Sequence, residues 1–78
     1  MKSLATSFLL INSVLGKERE VLNDLKNLKE VRETHLVYGV YDIVVRVETE
    51  NMQELKDVVN LKIRKLDNVS STLTMIVQ

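Results

Sequence analysis

The stretch His35-Leu36-Val37-Tyr38-Gly39-Val40-Tyr41-Asp42-Ile43-Val44-Val45-Arg46-Val47 limits the fold more than any other part of the chain, because it reads as two extended runs joined by a glycine. Val, Ile and Tyr favour a half-buried, extended backbone. A glycine opening a two-residue loop supplies the positive φ that a type II′ turn demands, so Gly39-Val40 is the expected turn. Beyond it, Tyr41, Ile43, Val45 and Val47 fall on one face of the returning strand, and Asp42, Val44, Arg46 and Glu48 on the other. The first face reads as core. The second begins with an acid beside the glycine, at the rim of a sheet.

Upstream, Leu4 to Val14 carries apolar residues on both alternating faces, Phe8 with Leu10 and Leu9 with Ile11, which predicts a strand covered on both sides. Gly16 ends that run. From Lys17 to Leu28, Val21, Leu22, Leu25 and Leu28 recur at helical spacing among Glu and Lys residues, the pattern of an amphipathic helix. Val31 to Tyr38 alternates imperfectly and leads into the hairpin. A second helical stripe, Met52, Leu55, Val58, Val59, Ile63 and Leu66, follows Asn51, a fair N-cap with Glu54 three residues on. Leu61 lies off that stripe and reads as an exposed contact. After Asp67-Asn68, Val69 to Val77 alternates again, with Val69, Leu73, Met75 and Val77 on one face and Ser70, Thr72, Thr74 and Ile76 on the other.

The predicted order is therefore βαββαβ, an α+β, ferredoxin-like arrangement in which two helices cover one face of a four-stranded antiparallel sheet. Residues 1–78 are expected to form a single domain. Because helices cover one face only, the apolar second face of the first strand, together with Val44, needs another partner, and a second copy packed sheet to sheet is the expected one.

Composition narrows the function. With 78 residues the chain removes only about 60% of its unfolded surface from water on folding, which favours self-association. It has no cysteine and a single histidine, so disulfides, thiolate metal sites and the usual zinc spacings are excluded, and no cofactor is implied. Eleven basic residues balance eleven acidic ones, which argues against direct nucleic-acid binding. Met1-Lys2-Ser3-Leu4 opens an apolar stretch too short for a membrane span, so a cytoplasmic protein with no membrane partner is expected.

Four residues invite chemistry. Asp42, at the rim beside Gly39, can pair with a ligand ammonium or accept hydrogen bonds from the turn backbone. Thr72 and Thr74 share one strand face and can receive polar ligand atoms, although threonine is also simply a good strand residue. His35 is the only residue that titrates near neutrality, yet no serine or cysteine stands at an informative spacing from it, so it reads as a rim or interface histidine.

The hairpin pattern Val37-x-Gly39-x-Tyr41-Asp42-Ile43, followed one helix later by Asn68-Val69-x-x-Thr72-x-Thr74-x-Ile76-Val77, resembles the C-terminal ligand-binding (RAM) module of the Lrp/AsnC transcription regulators over essentially the whole chain. The resemblance implies a dimeric α+β barrel formed through the sheets, a ring of dimers, and amino acids bound in clefts between dimers. It also implies ligand-binding roles for Gly39, Tyr41, Asp42, Thr72 and Thr74. The helix-turn-helix domain of that family is absent from the sequence, so a stand-alone module is expected, one that senses an amino acid or joins full-length Lrp/AsnC regulators. No enzyme activity is expected. Two alternatives remain: a small dimeric α+β barrel enzyme with His35 as base, and an ACT-type amino-acid-binding domain in which Gly16 would be the sensitive glycine.

Overall fold

The computed structural model describes residues 4–78 and contains β1 (Ala5–Ser13), α1 (Glu18–Lys26), β2 (Val31–Leu36), β3 (Ile43–Thr49), α2 (Met52–Asp57) and β4 (Val69–Ile76). A π-helical segment, Val58–Ile63, continues α2. Met1, Lys2 and Ser3, the first residues of the expected domain, lie outside the described residues. The sheet runs in the order β2-β3-β1-β4 and is antiparallel throughout, which is the ferredoxin-like arrangement that the alternating periods predict.

On β1, Ala5, Ser7, Leu9 and Ile11 are buried beneath the helices, and on β3 Ile43, Val45, Val47 and Thr49 join them. Val21, Leu22 and Leu25 of α1, and Leu55, Val58, Val59 and Ile63 of the second helical stretch, close this core from one side. Asn51 caps α2, its Oδ1 accepting a hydrogen bond from Glu54 N at 2.8 Å, as the sequence spacing suggests.

The opposite sheet face has no helix over it and divides into two halves. On β1 and β4, cross-strand pairing sets Phe8 beside Met75 and Leu10 beside Leu73, and both β4 residues are 46% exposed. On β2 and β3, Arg46 Nε donates to Glu33 Oε1 at 2.9 Å and Arg46 Nη1 to Glu48 Oε2 at 3.3 Å. Val44 lies between the apolar half and this ionic half, paired with Leu10 on β1 and His35 on β2.

Three details differ from the sequence expectation. The hairpin closes through residues 37–42 and not through a two-residue Gly39-Val40 turn. Its neck is the bond from Val37 N to Asp42 O, 2.9 Å, while Asp42 N turns away to donate to Ile11 O on β1 at 3.0 Å. Tyr41 consequently precedes the strand instead of starting its core face. Second, a bulge in β4 shifts the register between Asn12 and Ser13, so Val69 packs against the core while Leu73 and Met75 lie on the open face. Third, the second stripe is not one regular helix: Arg64 N bonds to Val59 O at 3.0 Å, a π-type step that leaves Leu61 exposed, as its position off the stripe predicts.

Candidate ligand-binding site

Asp42 stands where the β2–β3 loop meets the end of β1. Its Oδ2 accepts a hydrogen bond from Ser13 N at 2.9 Å and a longer one from Ser13 Oγ at 3.4 Å. The carboxylate thus braces the loop against β1, a role related to the turn-bracing alternative, although the donor is the neighbouring strand and not the Gly39 turn. Gly39 itself has φ +143°, a backbone region that side chains disfavour, and this frees the loop to rise from the sheet. Tyr38 and Val40, on either side of it, stand fully in solvent.

A cleft of about 310 Å³ opens between this loop and the start of α1, lined by Glu18, Arg19, Leu36, Val37, Tyr38 and Asp42. Of the five residues expected at a ligand site, Asp42 alone lines it. Gly39 and Tyr41 belong to the same loop, with Tyr41 half-buried. Thr72 pairs with Ile11, the residue whose carbonyl receives Asp42 N, so Asp42 and Thr72 flank β1 at the same end of the sheet. Thr74 is one pleat further, opposite Leu9. Both threonines face the helix side of β4, because their β1 partners Ile11 and Leu9 point into the core.

Sequence reasoning passed over Arg19, Glu18 and Leu36. A signal for Arg19 existed. No acid stands three or four residues from it, where Leu15, Gly16, Leu22 and Asn23 are found, so the helix offers it no ion pair. Leu36 gave no such signal, since a leucine in a strand run reads as core.

His35 lies on the open face with its side chain exposed and its Nε2 3.5 Å from Glu33 Oε2. The hydrogen bond from Arg46, and after it that of His35, holds the Glu33 carboxyl below its ordinary value. A second cleft, about 740 Å³, lies at the other end of the sheet, where Glu30 and Lys62 form a 2.9 Å ion pair between the start of β2 and the π segment. Among the described residues no helix is long and apolar enough to cross a membrane.

The family model described as the Lrp/AsnC ligand binding domain matches residues 6–78. Among curated proteins, the HTH-type transcriptional regulator FL11 of Pyrococcus horikoshii is 37% identical over 71 residues, covering 91% of this chain and 46% of the relative. The chain thus spans about half the length of the curated relatives it matches first. Among solved structures, a hypothetical protein from Pyrococcus horikoshii superimposes with a TM-score of 0.90 at 42% identity, covering 95% of this chain and 89% of that one. Escherichia coli AsnC does so with a TM-score of 0.87 at 30% identity, covering 94% of this chain and 50% of that one. The curated relative FL11 is named an HTH-type transcriptional regulator, which lends no support to His35 as a catalytic base. The match along nearly all of the sequence, joined to the βαββαβ fold, shows that the chain belongs to the Lrp/AsnC family through its ligand-binding domain.

Proposed function

We propose that this chain is an amino-acid-sensing and oligomerisation module that modulates transcription through ligand binding or through co-assembly with full-length Lrp/AsnC regulators. The observation that carries the reading is Asp42: a carboxylate held at the lip of a cleft by Ser13, in a chain whose family model is a ligand-binding domain. In this reading Asp42 pairs with the ligand ammonium, Gly39 and Tyr41 bring the loop backbone and a ring to the ligand, and Thr72 and Thr74 offer hydroxyls to its polar atoms. The open sheet face joins two copies, burying about 1,600 Å² in total, the usual scale of a specific interface. Dimers then associate into a ring. Ligand held where subunits meet stabilises the assembled form by mass action, which couples amino-acid level to oligomeric state.

Calorimetric titration with the twenty amino acids, paired with light scattering on each mixture, tests this. Asp42→Asn keeps an oxygen that can accept from Ser13 N, so the fold is retained, while the lost charge weakens binding by about 2 kcal/mol, roughly 30-fold. Unchanged affinity in Asp42→Asn, with a lowered melting temperature, would make Asp42 a brace only. No binding by the wild-type protein would end the sensing reading.

A further inference from the structure

We propose that Arg19 receives the carboxylate of the ligand, so that one subunit supplies a partner for both charges of a free, apolar amino acid. This deepens the amino-acid reading and rests on it. The cleft between the β2–β3 loop and α1 brings together one cation, Arg19, two carboxylates, Asp42 and Glu18, and the exposed apolar surfaces of Leu36, Val37 and Tyr38. Its volume of about 310 Å³ is at the low end for small-molecule sites, which suits a single amino acid better than a nucleotide or a peptide.

Folding gives Arg19 no employment. Of the four arginines in the chain, Arg32, Arg46 and Arg64 each meet an acid or amide oxygen, whereas Arg19 has no partner among the described residues. It also occupies the first turn of α1, where the helix dipole disfavours a positive charge. A planar guanidinium there is a bidentate partner for a carboxylate that arrives from solvent. Glu18 is partly engaged, accepting from Gly16 N at 3.3 Å, and Asp42 uses Oδ2 for Ser13, which leaves its Oδ1 for an ammonium. With two acids against one base, the lining repels a second negative charge on the ligand, and the apolar wall favours an aliphatic or thioether side chain. Neutral apolar amino acids therefore fit, and acidic ones do not.

The test uses calorimetry on the full chain with L-leucine and L-methionine, L-glutamate as the charged control, and L-leucinamide as a probe that keeps the ammonium and lacks the carboxylate. Arg19→Gln is expected to weaken L-leucine and L-methionine at least tenfold, to leave L-leucinamide unchanged, and to leave the melting temperature unchanged or raised. Arg19→Lys should recover part of the lost affinity. If Arg19→Gln binds the amino acids as tightly as wild type while Asp42→Asn loses them, this inference fails and the sensing reading stands. Tighter binding of L-glutamate than of both apolar amino acids overturns the inference as well. If the wild-type chain binds none of the twenty, both fall together.

Discussion

Ser7 is fully buried on the core face of β1, and its hydroxyl has no hydrogen-bond partner among the described residues. A desolvated, unpaired hydroxyl costs roughly 1–3 kcal/mol by mutational measures. Ser7→Ala is therefore expected to stabilise the fold by about 1 kcal/mol in urea unfolding at an unchanged m-value. A loss of stability would mean that the hydroxyl is bonded after all. Asp42 presents the converse case. As an acid beside a glycine it was legible in the sequence as a rim residue, but its donor, Ser13, lies 29 residues away, and no local pattern announces a partner at that distance.

Among the elements, the π segment after α2 is tied to the rest of the molecule by the Lys62–Glu30 pair. Burial alone would raise the Glu30 carboxyl, yet the hydrogen bond from Lys62, a backbone hydrogen bond and the charges of Lys62 and Lys29 outweigh it and hold that carboxyl below its ordinary value. A group whose folded value is lowered adds stability above its unfolded value, about 4.3 for glutamate, and that contribution disappears as the pH falls through the lowered folded value. Thermal midpoints followed from neutral pH downward should fall more steeply for the wild type than for Glu30→Gln. Parallel curves would show that the pair adds nothing. The helical stripe itself was legible from its spacing, and so was the Asn51 cap, because both depend on residues within a turn or two of each other.

At the scale of the whole molecule, the open sheet face is the surface through which the proposed dimer forms. Its apolar half is formed by Phe8, Leu10, Leu73 and Met75, while Arg46, Glu33 and Glu48 form the ionic half. In the proposed two-fold dimer the apolar half packs near the axis, and the charges stay toward the rim, where desolvation costs least. Sedimentation at micromolar concentration should show a dimer for the wild type, and Leu73→Lys should weaken association at least tenfold while far-ultraviolet circular dichroism is retained. Here "tenfold" corresponds to about 1.4 kcal/mol, a modest demand on one buried leucine. A folded wild-type monomer at that concentration would overturn the dimer.

The element order, the helix faces, the capping of α2 and the core face of β3 were determined by the sequence alone, since each is a short-range periodicity or a bond between near neighbours. Tertiary structure decided the rest. The hairpin loop widened to six residues because Asp42 bonds to Ile11 and Ser13 on β1 in preference to closing a tight turn. A bulge in β4 separated Val69 from Leu73 and Met75, and one inserted residue changes which face every later side chain occupies. Arg19 came to share a cleft with Asp42 only because the start of α1 lies over the β2–β3 loop. Residues this far apart in sequence are brought together by strand pairing and helix packing, whose long-range contacts leave no mark in a local pattern.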